Sequence, residues 1–310
     1  MRANHHYLHD MPSVRIVSLS LLGYLTTTAA LATSLTGTYA QYAAATYRLV
    51  DTYNSGNFFS SFNFFTGTDP TSGFVNYQSQ SAAQSQGLIN TNNGQVYLGV
   101  DHTTLNPPSP GRASVRVTSN KGYTHGLFIE DIAHMPGSIC GVWPAFWLFG
   151  PNWPNSGEID IIEGVNLAGS DTITLHTKAG CTINTAGSQS GTTLLQSNCN
   201  QDNANTGCGV STNVANSYGN GFNSIGGGVY AMQWESSGVY VWFFKRGSIP
   251  SDITNGAPVT GNWGTPIVAF NGGSSCNIDS FFSNENIVFD TTFCGSVCFP
   301  LFVSLEEEDC

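Results

Sequence analysis

Short runs of alternating apolar and polar residues recur along this chain. Residues 112–118 alternate with period two, as a half-buried strand does, and residues 126–132 and 172–177 are further apolar or β-branched runs. The clearest hairpin spans residues 229–245, where Ser236-Ser237-Gly238 forms a turn between two aromatic-rich arms. No long segment shows a period of 3.6 residues. The pattern therefore predicts one all-β sandwich domain decorated with polar loops.

The composition supports this prediction and excludes some classes of partner. Of 310 residues, 35 are glycine, 12% are aromatic and only 9% are charged, as is typical of short strands and turns. Twenty acidic against nine basic side chains give a net charge of −11. A chain without positive potential is not expected to bind nucleic acid or an anionic membrane surface.

The first forty residues have the features of a secretory signal and are not expected to belong to the folded domain. Arg15 precedes an apolar run that ends near Leu25, and a stretch of small residues follows up to Ala40. A membrane anchor is the alternative, but the apolar run is shorter than the ~20 residues that a bilayer requires. We expect secretion with cleavage near Ala40, and no later segment is apolar enough to span a membrane.

Eight cysteines are consistent with an oxidising compartment. Their number is even and their spacing is wide, so they indicate a set of disulfides whose connectivity the spacing does not determine. No CxxC pair is present, which argues against a zinc ribbon. The cysteines are Cys140, Cys181, Cys199, Cys208, Cys276, Cys294, Cys298 and Cys310.

A cluster of carboxylates is the most informative feature of the sequence. Glu158, Asp160 and Glu163 lie within six residues that are otherwise isoleucine. On a regular strand Glu158 and Asp160 share one face with Ile162, and Glu163 points to the other face. A β-bulge near Ile161 and Ile162 would return Glu163 to the acidic face, and bulges are common beside active sites.

Carboxylates crowded on one face indicate acid–base chemistry. They cannot all ionise cheaply, so at least one pKa is raised and a proton donor lies beside an anion. Glycoside hydrolysis uses such a pair, one carboxylate as nucleophile and one carboxylic acid as proton donor. A straight strand would separate Glu158 from Glu163 by about 13 Å. A retaining pair is only about 5 Å apart, so the bulge and inward-leaning side chains must close this gap.

Two other interpretations of the cluster remain open at this stage. Hard oxygen ligands suit calcium, although the ligand spacing of an EF-hand is absent. A solvated edge strand is the second alternative, although the isoleucines indicate burial on one face.

Aromatic residues near the cluster suit a sugar-binding groove. Indoles stack on the C–H faces of sugar rings, which makes Trp147, Trp153 and Trp263 candidates for substrate contacts. Trp143 and Trp147 lie in an apolar run, and at least one of them is expected to pack in the core. His176 would lie on a neighbouring strand, where it could bond a carboxylate or a sugar hydroxyl.

The segment Glu158–Glu163 resembles the ExDxxE signature of glycoside hydrolase family 16. The surrounding segments 143–147, 174–177, 239–244 and 262–266 are similar to those of the secreted fungal endo-1,3(4)-β-glucanases, or laminarinases. The likeness extends from about residue 45 to residue 295. It implies a β-jelly-roll sandwich of the concanavalin A type, whose concave sheet forms a glucan cleft.

The resemblance also implies roles for individual residues. Glu158 would be the nucleophile, Asp160 its helper and Glu163 the general acid/base. The glucose subsites would be lined by Trp147, Trp153, His176 and Trp263. It implies retaining chemistry on a β-glucan partner with no metal and no cofactor, and we expect a monomer.

The sequence departs from this family at its C-terminal end. Members of this family usually continue past the position of Cys294 into further cysteines and a last sandwich strand, and residues 296–310 do not resemble that continuation, as a misread exon or a frame change would produce. The chain is therefore divided into a signal region (1–40), a family 16 catalytic domain (41–295) and an atypical tail (296–310). A cell-wall glucan transglycosylase and a non-hydrolytic glucan-binding protein are the two alternatives to a hydrolase.

Overall fold

The computed structural model describes residues 14–24, 47–201 and 207–295, with the backbone alone described for residues 14–24. The predicted C-terminal tail lies outside these residues, as do the remaining parts of the predicted signal region. In chain order, the strands are β1 (Val14–Tyr24), β2 (Tyr47–Tyr53), β3 (Phe62–Phe64), β4 (Val75–Tyr77), β5 (Ile89–Asn92), β6 (Gln95–Leu98), β7 (Arg112–Ser114), β8 (Arg116–Tyr123), β9 (Gly126–His134), β10 (Val142–Phe149), β11 (Glu158–Glu163), β12 (Thr172–His176), β13 (Thr192–Gln196), β14 (Cys208–Thr212), β15 (Gly228–Glu235), β16 (Gly238–Lys245), β17 (Val268–Asn271) and β18 (Glu285–Phe293).

Helices are few and short within the described residues, which confirms the all-β prediction. They are the four α-helical turns α1 (Phe58–Ser61), α2 (Gln80–Ser85), α3 (Gly219–Ser224) and α4 (Ser251–Thr254), and the 3₁₀ turns Arg246–Ser248, Thr260–Asn262 and Ile278–Ser280. No helix among these residues is long and apolar enough to cross a membrane.

Two antiparallel sheets form the sandwich. The first, called here the cleft sheet, has the strand order β13-β14-β12-β11-β10-β18-β8-β3. The second, the back sheet, has the order β17-β16-β15-β9-β1-β6-β5, with β2 paired to β1. The predicted hairpin is the β15–β16 pair, in which Glu235 faces Gly238 across a two-residue turn. Each sheet thus offers one face to the other and one face to its surroundings.

The main hydrophobic core lies between the sheets. It takes alternate residues of each strand, such as Phe146 and Leu148 from the cleft sheet and Tyr230 and Met232 from the back sheet. Because the side chains of a strand alternate between its faces, the intervening residues of β10 point away from this core. These residues can therefore line a site on the outer face of the cleft sheet.

Part of the predicted signal region forms a strand. Val14–Tyr24 lies as β1 between β9 and β6 of the back sheet, whereas the sequence analysis expected no folded structure in the first forty residues. The reason for the difference is that an apolar run rich in β-branched residues suits a strand as well as a signal. The prediction that these residues are a cleaved signal concerns processing, and it stays a prediction.

Two disulfides join loops of the domain. Cys181 bonds Cys276, and Cys199 bonds Cys208. The second disulfide closes the segment that carries Gln201 and Gly207 to the cleft. Within the described residues, these two bonds confirm the prediction of disulfides for four of the eight cysteines.

Candidate active site

The strand β11 contains the predicted bulge. Phe146 of β10 pairs with Ile162, whereas the next residue, Trp147, pairs with Asp160, so Ile161 is the extra residue. Ile161 and Ile162 both lie in the core between the sheets. The bulge therefore lets Glu163 face the same side as Asp160.

Glu158, Asp160 and Glu163 line one cleft of about 780 Å³ on the outer face of the cleft sheet. This volume lies within the range of small-molecule sites, about 300–1,000 Å³. The other residues that reach the cleft from this sheet include Arg116, Trp143, Trp147, Thr174, His176 and Asp290. The structure thus brings together the three carboxylates that the sequence analysis selected.

A tight loop positions the first carboxylate. Asn152 accepts hydrogen bonds from the N–H groups of Asn155 and Ser156, and its own N–H donates to Ser156 Oγ. Gly157, directly before Glu158, has φ of +84°, and a Cβ atom there would lie 2.4 Å from the ring of Phe282. Glycine is required at this position because a side chain would be both strained and without space.

Indole N–H groups bond the carboxylates of the cleft. Trp143 Nε1 donates to Glu163 Oε1 at 2.7 Å, and Trp153 Nε1 donates to Glu158 Oε2. Trp153 is 46% exposed, which leaves its ring face available for a ligand. The two indoles fix the carboxyl groups at either end of β11.

Trp143 and Trp147 both line the cleft, and the expectation that one of them packs in the core is wrong. Their positions alternate with Phe146 and Leu148, which occupy the core side of β10. Trp147 Nε1 donates to Asp290 Oδ1 at 2.8 Å. An apolar run thus conceals a strand with one buried and one ligand-accessible face.

His176 lies on β12 opposite Glu158, as the sequence analysis expected of a neighbouring strand. Its Nε2 is 3.0 Å from Asp160 Oδ2, and its Nδ1 faces Gln201 Oε1. Gly207 packs against the ring, because a Cβ atom there would lie 2.4 Å from His176 Nδ1. The imidazole is therefore held against Asp160 from two sides.

The site shifts the pKa values of its own groups. Burial, together with the charge of Asp160, raises the pKa of Glu158 to about 8, against the opposing effects of His176, Trp153 and Arg116. Burial also raises the pKa of Asp160 to about 6, although its hydrogen bond to His176 opposes the change. Burial also raises the pKa of Glu163. The charge of His176 and the hydrogen bond from Trp143 partly offset this increase. These carboxyls therefore retain protons at a pH where exposed carboxyls have lost them.

The pKa of His176 is raised, although burial alone would lower it. Burial alone would lower the pKa of the imidazole, but the hydrogen bond and charge of Asp160, with the charges of Glu158 and Glu163, raise it to about 10. A cation beside three carboxylates keeps part of the cluster ionised.

The sequence analysis missed Arg116 and Asp290. Arg116 is 8% exposed, and its guanidinium lies 4.8 Å from the ring centre of Trp147. Asp290 accepts hydrogen bonds from Trp147 and from the Tyr77 hydroxyl at 2.9 Å. An arginine between two valines of an alternating strand, in a chain with nine basic residues, was a usable signal. For Asp290 no comparable signal exists.

Trp263 does not lie in the cleft. It packs on the outer face of the back sheet, 8% exposed, against Trp242 and Phe244. Its Nε1 donates to Asp252 Oδ2 at 2.9 Å. The structure therefore does not bring this residue together with Trp147, Trp153 and His176.

Glu158, Asp160 and His176 could also hold a metal ion. Each offers one ligand atom, and these atoms lie within 4.8 Å of one another. Trp153 Nε1 donates to Glu158 Oε2 and His176 Nε2 lies 3.0 Å from Asp160 Oδ2, so one oxygen of each carboxyl is already engaged. The same close spacing also suits proton sharing among these groups.

An antiparallel sandwich with paired carboxyls and indoles in a cleft defines the class of β-jelly-roll glycoside hydrolases. A family profile described as XgeA-like, catalytic GH16 domain matches residues 62–309, and the match includes most of the predicted C-terminal tail. The chain belongs to glycoside hydrolase family 16.

Fungal proteins are among its relatives. A probable endo-1,3(4)-beta-glucanase of Aspergillus niger is 52% identical over 255 residues, which are 82% of this chain and 34% of that protein. Endo-1,3(4)-beta-glucanase xgeA of Emericella nidulans is 44% identical over 82% of this chain and 40% of its own length. The chain therefore spans less than half the length of these curated relatives.

Two solved structures are similar over most of their own length. Laminarinase 16A from Phanerochaete chrysosporium, solved with 6-O-glucosyl-laminaritriose in both donor and acceptor sites, is 43% identical with a TM-score of 0.76. An elongating GH family 16 beta-1,3-glucosyltransferase is 45% identical with a TM-score of 0.75. These alignments cover 82% and 83% of this chain and 87% of each structure.

Proposed function

We propose that the protein is a secreted retaining endo-β-glucanase that cleaves β-1,3 or mixed β-1,3/1,4 glucans by double displacement. The observation that carries this proposal is the bulged strand β11, which presents Glu158, Asp160 and Glu163 to one cleft. The names of the relatives from Aspergillus niger and Emericella nidulans support the substrate class.

In the first displacement Glu158 attacks the anomeric carbon of the sugar as a carboxylate. Glu163 donates its proton to the glycosidic oxygen, so the bond to the leaving chain breaks as the bond to Glu158 Oε forms. The raised pKa of Glu163 suits this proton donor. The product is a glycosyl ester on Glu158 and a free chain end.

In the second displacement water attacks the ester on the opposite face. Glu163, now a carboxylate, takes the proton of the water, and Glu158 leaves as a carboxylate. Two inversions retain the configuration of the anomeric carbon.

Asp160 and His176 are proposed to control the proton that Glu158 would otherwise retain in the free enzyme. Asp160 and Glu158 offer carboxyl oxygens within 4.8 Å of each other, and His176 Nε2 lies 3.0 Å from Asp160 Oδ2. We assign Asp160 to accept a proton shared with Glu158, which frees Glu158 for attack. His176 stabilises the charge that results.

Trp147 and Trp153 are proposed to stack on glucose rings at the two sides of the carboxyls. Trp153 is half-exposed beside Glu158, and the ring of Trp147 is fixed by Arg116 and Asp290. His176 lines the same cleft, where its two ring nitrogens face Asp160 Oδ2 and Gln201 Oε1. We propose that the enzyme works as a monomer without a cofactor.

Transglycosylation is the second candidate activity. The similarity to an elongating beta-1,3-glucosyltransferase favours it, because a sugar hydroxyl can replace water in the second displacement. Chromatography of products from short laminari-oligosaccharides separates the two outcomes. Products longer than the substrate identify transfer, and shorter products alone identify hydrolysis.

Secretion is part of the proposal. The predicted signal region, residues 1–40, and the disulfides of the domain support an extracellular location. Cleavage near Ala40 would remove β1 from the back sheet and leave the catalytic domain, residues 41–295, with the tail. Mass spectrometry of the N-terminus of the protein recovered from culture medium tests this step.

The first test replaces the nucleophile. Glu158→Gln is expected to lower laminarin hydrolysis by orders of magnitude while the fold is kept, because an amide cannot form the glycosyl ester. Glu130→Gln is the matched control, since Glu130 is a buried carboxyl of the back sheet outside the cleft. Wild-type turnover in the Glu158 variant would refute the proposal. Binding of insoluble glucan by the wild type without release of reducing sugar would identify a glucan-binding protein instead.

A further inference from the structure

The fully buried carboxyl of Asp171 accepts a hydrogen bond from the backbone of Glu163. The backbone N–H of Glu163 donates to Asp171 Oδ1 at 3.0 Å, while the Glu163 side chain bonds Trp143 in the cleft. Glu163 ends β11 just after the bulge, where the ladder of a sheet is locally disrupted. Asp171 thus supplies an acceptor at the point where the strand has lost its regular register.

Asp171 itself is rigidly placed. It is completely buried, directly before β12, and its carbonyl oxygen accepts hydrogen bonds from Thr212 N at 2.9 Å and Thr212 Oγ1 at 3.2 Å. The position of its side chain is therefore tied to β14, on the far side of β12 from the catalytic strand.

Burial favours the neutral form of the Asp171 carboxyl. Its Oδ2 accepts no hydrogen bond from the described residues, and the neighbouring Tyr230 hydroxyl gives its own proton to Ser217 O at 2.7 Å. A buried carboxylate left in this state would be costly. Burial raises the pKa of Asp171 well above its ordinary range, and the charge of Glu163 acts in the same direction against the hydrogen bonds that Asp171 accepts. A neutral acid can hold the Glu163 backbone without repelling its side chain.

The residue after Glu163 is held in the same way. Tyr218 donates its hydroxyl to Gly164 O at 3.0 Å. A Cβ atom on Gly164 would lie 2.5 Å from the Tyr218 ring, so the strand end fits closely against it. The N–H of Glu163 and the carbonyl of Gly164 are therefore both held by buried side chains that do not line the cleft.

We propose that Asp171 is a positioning residue that holds the backbone of Glu163 and so sets where the acid/base carboxyl lies relative to Glu158. This inference rests on the proposed function, because it assumes that Glu163 transfers the proton. A displacement of a catalytic group by about 1 Å can cost about a hundredfold in rate. The effect should be confined to steps that need the proton of Glu163.

The test compares two substrates in variants of Asp171. Laminarin has a poor leaving group that needs protonation, whereas a 2,4-dinitrophenyl β-glucoside of the same chain type leaves without an acid. Asp171→Leu is expected to lower kcat on laminarin about a hundredfold with KM nearly unchanged, and to lower the rate of the dinitrophenolate burst, which reports glycosyl-ester formation from the activated glucoside, less than tenfold. Asp171→Asn keeps an acceptor oxygen and should restore laminarin turnover to within about threefold of wild type. If the leucine variant does not fold, Asp171→Ser, which is too short to reach the N–H, replaces it.

Glu163→Gln and Glu130→Gln are the reference variants. Glu163→Gln should lose laminarin turnover and keep formation of the glycosyl ester from the activated glucoside, and Glu130→Gln should leave the ratio of the two substrates unchanged. A wild type that does not hydrolyse laminarin, or a Glu163 variant with full turnover, would overturn the proposed function.

The positioning role of Asp171 can be refuted while the proposed function stands. With those references as expected, laminarin turnover within threefold of wild type in the leucine or serine variant would overturn it. Equal losses of laminarin turnover and of the dinitrophenolate burst rate would also overturn it, since they would indicate a purely structural contribution.

Discussion

The outer faces of the two sheets carry the same chemical unit in different settings. Trp153 donates its indole N–H to Glu158 in the cleft, and Trp263 donates its indole N–H to Asp252 on the back sheet. Trp153 is 46% exposed, whereas Trp263 is 8% exposed. An indole bonded to a carboxylate is therefore not by itself a sugar-binding feature.

The difference arises from what covers each face. The segment that follows β16, with α4 and the 3₁₀ turn Thr260–Asn262, folds over the back sheet and packs Trp263 edge-on against Trp242 and Phe244. No comparable cover lies over β10 and β11 among the described residues, and the cleft remains there. The same residue types give a second small core on one face and a site on the other.

The largest expected effect is on the stability of the back sheet. Trp263→Ala removes a buried indole from a packed cluster and should lower the free energy of unfolding by about 3–5 kcal/mol, because a cavity remains. Urea unfolding measures this change, and kcat/KM of the folded variant should stay within twofold of wild type. Loss of activity without loss of stability would instead place Trp263 in the site.

The cleft indole should show the opposite behaviour. Trp153→Phe removes a donor to Glu158, the proposed nucleophile, and should lower kcat/KM on laminarin about tenfold, since a hydrogen bond to a charged group contributes about 1.5–3 kcal/mol. The pKa of Glu158 should rise further without this bond, which moves the acidic limb of the pH profile to higher pH.

Trp263→Phe is the matched control for this change. It too loses one indole N–H bonded to a carboxylate, but it should leave the acidic limb in place. Equal pH profiles for the two variants would contradict the assignment of Trp153 to the nucleophile.

The third expected effect concerns how the stability of the protein depends on pH. Glu158 has a pKa of about 8 in the folded protein and ordinarily 4.5, and His176 has about 10 against 6.5. Both pKa values are raised on folding, so the folded state binds more protons than the unfolded state. Stability is then fully present at low pH and is lost as the pH rises through the folded values.

Urea unfolding at pH 5, 6.5 and 8 tests this sign. The free energy of unfolding should fall across the series in the wild type, and it should fall less in Glu158→Gln, which lacks one of the titrating groups. A rise with pH, or an unchanged slope in the variant, would show that the cluster does not bind extra protons in the folded protein.

Much of the site could be found along the chain because it is local. Glu158, Asp160 and Glu163 lie on one strand, and the requirement that all three share a face was enough to predict the bulge. His176 was accessible for a similar reason, since consecutive strands commonly pair. Arg116 and Asp290 come from β8 and β18, which lie far from β11 in the chain, so local pattern could not place them together.

The sequence by itself determined the sandwich, the strand β11 and its three carboxyls, because alternation and the crowding of like charges are properties of neighbouring residues. Only the tertiary structure decided which tryptophans meet a ligand, because exposure depends on distant segments that cover one sheet and not the other. The tertiary structure also decided that Asp171 accepts the backbone N–H of Glu163, because the chain returns beside β11 as it enters β12. The local sequence pattern specifies which reactive side chains a strand carries, and the packing of distant segments determines which of these side chains a substrate can reach.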